Sequence, residues 1–334
     1  MKILVDAYGG DNSPSAMVAG SVTAVNLNEN LKITLVGKEE ELKKELEYIG
    51  YKEDKIDIIN ANDVISCEDV PTSAIRSKTD SSLVVALDTM KQTEDYDAFV
   101  SAGSTGAVLT GALLKIGRIR GISRPALAPV LPNIKGGKTL LIDCGANVDC
   151  KPQFLVDFAM MGSAYMQLVF GIEKPRVALV NVGVEDQKGN ELTHEVFALL
   201  KAREDINFVG NMEARDALNG DYDVLVCDGF VGNVLLKSTE GTVSFLLKTL
   251  KEEIKNSGFA SKLGAMFMKK AFKNLKGKLD YKNIGGSPFL GIQKVVIKAH
   301  GSSDAKCFYS AIMQAKTMVE NKLVDKIKSC IGEE

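Results

Sequence analysis

The chain has no tryptophan, only two histidines, and no stretch approaching the ~20 apolar residues of a membrane-spanning helix. Its six cysteines, at 67, 144, 150, 227, 307 and 330, form no CxxC pair. That spacing argues against a zinc site or a thioredoxin-like motif and for reduced, buried thiols. Neither histidine has a second nitrogen or sulfur ligand near it in sequence, so no transition metal is expected. Charge of one sign is also lacking: the formal net charge is −2, which opposes any global attraction to nucleic acid. There is no GxGxxG, so a standard dinucleotide site is not expected. Gly136-Gly137-Lys138-Thr139 imitates the end of a P-loop, but Pro132 stands where the upstream glycine belongs. Gly103-Ser104-Thr105-Gly106 lacks the spacing of a nucleophile elbow, and no strong covalent nucleophile stands out. Asp6 interrupts the first apolar run too early for a signal peptide, so a cytosolic location is expected.

What is present is a 334-residue chain, 45% hydrophobic and 25% charged, large enough for a substantial core. Short β-rich runs alternate with helical patterns. Strands are expected at 2–6, 32–36, 56–60, 97–101, 126–131, 138–143, 176–182, 206–209, 223–227 and 293–298. Several are continuous apolar runs, such as Thr139-Leu140-Leu141-Ile142, which suits strands buried on both faces. The alternation predicts an α/β fold, three-layer α/β/α with a mostly parallel sheet, as a single domain over 1–334.

The polar chemistry gathers where strands end. Val295-Val296-Ile297 leads into Lys298-Ala299-His300-Gly301-Ser302-Ser303-Asp304 and then a helix. Ligands of open α/β sheets bind at that edge, and unpaired N–H groups at a helix start suit an anion. His300, Ser302 and Ser303 are candidate substrate contacts there. The first strand ends at Asp6 and runs into Gly9, Gly10 and Asp11, and another ends at Ser101 before Gly103, Ser104 and Thr105. Glycines and hydroxyls at such turns let backbone N–H groups approach phosphate oxygens. Asp143 to Pro152 holds Asn147, Asp149 and Lys151, more polar chemistry than a turn needs. Lys188 sits in a loop among acids and a glycine, where a mobile ammonium suits phosphate, although for a lone lysine a solvated surface charge is the stronger reading. Asn233 follows Gly229-Phe230-Val231-Gly232; its amide suits a developing oxyanion or, alternatively, a helix cap. The convergence of these loops predicts an anionic substrate.

Residues 230–279 depart from the pattern, being helical in character with no strand. Between Gly258 and Leu279 stand six lysines, 262, 269, 270, 273, 276 and 278, and no acid. Phe259, Leu263, Met266 and Phe267 make an apolar stripe at helical spacing. The segment reads either as a hairpin packed on the sheet or as a protruding tip, over 235–280, that meets a membrane or an acidic partner through those four residues with Lys269, Lys270 and Lys273.

Six pieces, VDAYGGDNSP, SAGSTGA, DCGANVDCKP, VGVEDQKGNEL, VCDGFVGN and IKAHGSSD, run in order from residue 5 to 304. Together they resemble the phosphate acyltransferase PlsX family, with departures at Tyr8, Ser104 and Gln153, where methionine, asparagine and glutamate are usual. The resemblance implies transfer of a fatty acyl group from acyl-carrier protein to inorganic phosphate, giving acyl phosphate for phospholipid synthesis without a cofactor. It implies a fold like isocitrate and isopropylmalate dehydrogenases and phosphotransacetylase. It also implies a homodimer, peripheral association of the tip with the inner face of the cell membrane, and a downstream glycerol-3-phosphate acyltransferase as a possible partner. With that chemistry, Lys188 for phosphate and Asn233 for the oxyanion are the expected catalytic pair. Alternatives are a phosphotransacetylase using short acyl-coenzyme A and a non-catalytic membrane scaffold. A metal-dependent dehydrogenase is weaker, for want of an acidic metal cluster.

Overall fold

The computed structural model describes residues 1–279 and 285–332. The strands are β1 (Lys2–Asp6), β2 (Lys32–Gly37), β3 (Ile56–Asn60), β4 (Ala98–Ser101), β5 (Ala126–Leu127), β6 (Val130–Pro132), β7 (Lys138–Ile142), β8 (Val177–Asn181), β9 (Phe208–Glu213), β10 (Val224–Val226), β11 (Ser287–Leu290) and β12 (Val295–Lys298). The helices are α1 (Ser15–Leu27), α2 (Glu39–Ile49), α3 (Pro71–Ser77), α4 (Ser82–Gln92), α5 (Thr105–Gly111), α6 (Pro152–Phe170), α7 (Glu191–Lys201), α8 (Gly229–Asn256), α9 (Phe259–Phe267), α10 (Lys269–Leu279), α11 (Ala305–Glu320) and α12 (Leu323–Ile331).

The fold is α/β and mostly parallel, but the strands divide into two sheets where the sequence suggests one. The first runs β3-β2-β1-β4-β12-β11-β5, the second β6-β7-β10-β8-β9. In the first, β11 runs antiparallel to both its neighbours; in the second, β6 runs antiparallel to β7. The rest are parallel. The expected strand 126–131 is the point of division: β5 pairs with β11 in one sheet and β6 with β7 in the other. Pro129 lies between them. Lacking an N–H, it cannot extend a ladder, and the chain crosses from sheet to sheet there.

The central strands are apolar because they are covered on both faces. Ile3, Leu4, Val5, Phe99, Val100, Val296 and Ile297 are fully buried, as are Leu140, Leu141 and Leu225. Helix α6 is buried along most of its length and supplies Phe158 and Tyr165 to the core. Burying each such side chain contributes on the order of 1.5–3 kcal/mol.

Beyond Leu236, α8 leaves the core. Phe245 is 66% exposed and Leu246 59%. Helices α9 and α10 follow with a break at Met268, so the expected stripe lies on α9 and Lys269, Lys270 and Lys273 on α10. Phe259 (83%), Phe267 (78%) and Met266 (61%) are exposed, as are Leu263, Lys269, Lys270 and Lys273. The side chains of Lys276 and Lys278, and residue 280 at the end of the expected tip, lie outside the described residues. No described helix is long and apolar enough to cross a membrane.

Candidate active site

The polar loops leave the C-terminal ends of parallel strands, three from each sheet. From the first sheet come the loops after β1, β4 and β12, and these are sewn together. Asp6 ends β1 fully buried. Its Oδ1 accepts the Ser82 hydroxyl (2.6 Å) and the Tyr8 amide (3.2 Å), and its Oδ2 accepts the Ser101 hydroxyl (2.7 Å). Ser101 Oγ in turn accepts the Gly103 amide at 3.0 Å. Burial raises the Asp6 carboxyl above the ordinary range, against the lowering pull of its hydrogen bonds. Gly9 packs so closely that a Cβ there would stand 2.5 Å from the Gly103 nitrogen. The Asp11 amide donates to Gly301 O (2.8 Å), and Asn12 Nδ2 donates to Ser303 O (3.1 Å). Asp6, Gly9, Gly10, Asp11, Ser101 and Gly103, expected as substrate contacts, therefore sit beneath or beside the site and fix the loops. Ser303 is likewise buried, its hydroxyl donating to His300 O at 2.7 Å.

The second sheet contributes the loops after β7, β8 and β10. Asp143, at the end of β7, is fully buried. Its Oδ1 accepts the Leu127 (2.9 Å) and Ala146 (3.3 Å) amides; its Oδ2 accepts both the backbone (2.7 Å) and side-chain (3.0 Å) nitrogens of Asn147. Burial also raises its carboxyl. Asn147 Nδ2 donates further to Pro125 O at 2.8 Å, so this candidate contact is committed to structure. Asp149 and Lys151 are exposed on the same loop.

Helix α8 begins against that loop. The Gly229 amide donates to Asn147 O (2.7 Å), and a Cβ at Gly232 would lie 1.8 Å from Asp143 O. The helix cap is Asp228, whose Oδ1 accepts the Val231 amide at 2.8 Å. Asn233 is thus inside the first turns, not at the cap, and its side chain makes no hydrogen bond with the described residues. The cap alternative for Asn233 is overturned by Asp228.

Between the sheets, the loops after β4, β7 and β12 and the first turns of α8 line a cleft of about 260 Å³. Sheet one lines it with Thr105, Lys298 and His300; sheet two with Gly145, Asn233 and, further along α8, Lys237 and Glu240. Of the expected site residues, Thr105, Asn233 and His300 line it. Lys188, Ser104, Asp149, Lys151 and Ser302 do not. Ser302 instead orients the histidine: its amide donates to His300 Nδ1 at 3.2 Å. With Nδ1 accepting, the ring proton of the neutral imidazole sits on Nε2. Lys188 is exposed on the loop after β8, the strand beside β10, and forms no ion pair with the described residues. Ser104 holds the cap position of α5 without a side-chain cap bond.

Sequence reasoning missed Lys298. It ends β12, 9% exposed, and its Nζ donates to the Ala102 (3.4 Å) and Ala299 carbonyls. Burial pulls its pKa down to about 8. The available signal was a lysine closing an apolar strand in the most polar loop of the chain. Lys237 was missed as well; it pairs with Glu240 at 2.8 Å.

The family model described as fatty acid synthesis protein matches residues 1–326. A phosphate acyltransferase of Clostridium perfringens (strain SM101 / Type A) is 50% identical over 327 residues, covering 98% of this chain and 96% of that one. In solved structures, a phosphotransacetylase from Streptococcus pyogenes superposes with a TM-score of 0.61 at 18% identity, covering 96% and 94% of the two chains. A Salmonella typhimurium protein assigned as a 4-hydroxythreonine-4-phosphate dehydrogenase gives 0.52 at 13%, covering 95% and 99%. At those identities the structural likeness concerns the fold alone.

The contact of α8 with the Asp143 loop gives a direct expectation. Gly232→Ala should destabilise the protein by ~1–3 kcal/mol, because neither the helix nor a backbone carbonyl yields easily. Because Asn233 is the next residue, turnover should fall as well. A melting temperature and rate equal to wild type would show that the helix can slide off the loop.

Proposed function

The chain belongs to the phosphate acyltransferase (PlsX) family, and from that premise we propose that it moves a fatty acyl group from acyl-carrier protein to inorganic phosphate by direct attack. Phosphate near neutral pH is already an anionic nucleophile, so the protein's task is orientation rather than strong base catalysis. A phosphate oxygen forms the bond to the thioester carbon and the C–S bond breaks. The electron pair leaves on sulfur, whose thiol resembles a cysteine with pKa of roughly 8.5, and the phosphate proton is taken up by the thiolate. The carbonyl oxygen gains charge on the way, and an amide N–H aimed at it stabilises that charge.

The observation that carries this reading is Asn233. Its amide lines the cavity, lacks a partner among the described residues, and is not needed as a cap. Lys188 is an exposed cation at the same sheet edge. No covalent acyl-enzyme is required. The products, acyl phosphate and free carrier protein, would feed phospholipid synthesis, with a glycerol-3-phosphate acyltransferase as consumer.

The decisive assay supplies phosphate with acyl-carrier-protein thioester, with short acyl-coenzyme A, or with neither, and follows free thiol. Phosphate-dependent thiol release from the carrier protein is expected; release from short acyl-coenzyme A alone would favour the phosphotransacetylase alternative, and no release would favour a scaffold. Asn233→Ala should lower turnover ~10²–10³-fold, the usual effect of one lost oxyanion donor. Its stability should change by less than ~0.5 kcal/mol, as for other exposed positions. Lys188→Ala should weaken phosphate use while leaving the melting temperature alone. A full-rate Asn233→Ala enzyme would remove the oxyanion assignment.

The exposed face of α8 and the α9–α10 tip support two surface roles. Val234, Phe245 and Leu246 on α8 are proposed to pair with a second copy, as two-fold dimers are the commonest oligomers. Phe259, Leu263, Met266 and Phe267 are proposed to enter the inner leaflet of the cell membrane from the cytoplasm, with Lys269, Lys270 and Lys273 adding about 1 kcal/mol each at an anionic surface. Light scattering should give twice the chain mass at micromolar concentration. Leu263→Glu with Phe267→Glu should abolish sedimentation with anionic liposomes while activity in solution persists. Retained liposome binding would remove the membrane role, and lost activity would point to carrier-protein docking.

A further inference from the structure

Resting on the acyl-transfer reading, we propose that Lys298 is the fixed cation that anchors inorganic phosphate on the floor of the cavity between the sheets. Three structural facts lead there. The side chain is nine-tenths buried yet lines the cavity that holds Asn233, Thr105 and His300. An ammonium has three N–H donors; two go to the Ala102 and Ala299 carbonyls, which leaves one for a ligand. No carboxylate among the described residues forms an ion pair with it, whereas Lys237 on the same cavity is neutralised by Glu240.

A buried charge without a counter-charge is costly, and proteins seldom keep one that a hydrophobe could replace. An anion entering the cavity would supply that counter-charge. The Thr105 hydroxyl, on the same lining, is a donor for a further phosphate oxygen, while Asn233 serves the carbonyl. Lys298 and Thr105 enter from the first sheet and Asn233 from the second. The nucleophile is therefore held by one sheet and the electrophile by the other. Lys188, outside the cavity, then acts on arrival of phosphate rather than at its resting place.

The lysine's environment sets a pH signature. Burial lowers its pKa to about 8; Cys67, Asp11 and Asp6 push it up and Lys237 pushes it down, with His300 and Glu240 also on the cavity wall. The ammonium is present below that value and lost above it. Phosphate is then already a dianion, so a loss of affinity with rising pH reports the lysine.

The test measures binding of inorganic phosphate to the full-length protein by calorimetry and thermal shift, without acyl donor, and then steady-state kinetics. Lys298→Met should lose the phosphate-dependent rise in melting temperature. In phosphate-free buffer it should melt at or above wild type, because it replaces a buried charge by a hydrophobe. Its KM for phosphate should rise at least ~10-fold, as expected when a charged contact is lost, with KM for the acyl donor unchanged; Lys298→Arg should recover part of the binding. Wild-type phosphate affinity should fall as pH rises through about 8, by about tenfold per pH unit beyond it. An ordinary exposed lysine would hold its affinity to about pH 10. A Lys298→Met protein with wild-type phosphate response overturns the proposal, and so does one that melts lower yet binds phosphate normally, which marks a structural strut. If the variant does not fold, a wild-type affinity flat from about pH 7.5 to about pH 9.5 overturns it. Absence of thiol release by wild type would defeat the acyl-transfer reading instead, and phosphate binding would still decide Lys298.

Discussion

The carboxylate of Asp143 ties the two sheets together. It stands at the end of β7 in the second sheet and accepts the Leu127 amide of β5 in the first at 2.9 Å. The Cys144 amide answers by donating to Leu127 O at 3.0 Å. The same carboxylate gathers Ala146 and Asn147, and Asn147 O then receives the first amide of α8. Hydrogen bonds to a buried charged acceptor contribute roughly 1.5–3 kcal/mol each, and removing the acceptor would strand several buried amides together. The first turns of α8, which carry Asn233, are seated directly on this junction. Asp6 plays the corresponding part within the first sheet, joining the loop after β1 to α4 and to the loop after β4.

This division of labour explains what was legible in the sequence. The polar loops could be read because strand ends in an α/β chain are where ligands bind and where glycine, hydroxyl and carboxylate gather. Which members of each loop face the cavity could not be read. Asp6 and Ser101 look like ligands, yet the ordinary pairing of a buried carboxylate with hydroxyl donors places them below the site. Asn147 is claimed by Asp143 and Pro125. The single-sheet expectation failed at Pro129, because an apolar run of six residues, 126–131, hides a crossing from one sheet to the other. Lys298 escaped notice because a lysine at a strand end is usually solvated, whereas this one is buried with its ammonium on the Ala102 and Ala299 carbonyls. Asn233 was legible as a candidate, but setting aside its cap reading required seeing that Asp228 already caps the helix.

The chemistry needs little beyond position. A phosphate dianion and a thioester need to be brought together, kept from water and given a donor for the oxyanion. The cleft between the two sheets offers groups from both walls, and the helix that carries Asn233 continues outward into the exposed apolar face of α8 and the lysine-rich tip. The likeness to a phosphotransacetylase is one of fold, and a fold by itself does not assign the acyl donor.

The central claim, that the cleft between the sheets holds the phosphate, is tested most directly by locating the anion. Crystals of the protein soaked in arsenate, a phosphate analogue with its own anomalous signal, would mark the site without reference to activity. The account predicts an anomalous peak within hydrogen-bond reach of Lys298 Nζ, with the Asn233 amide facing the same space. A peak confined to the exposed loop around Lys188, with none between the sheets, would contradict it.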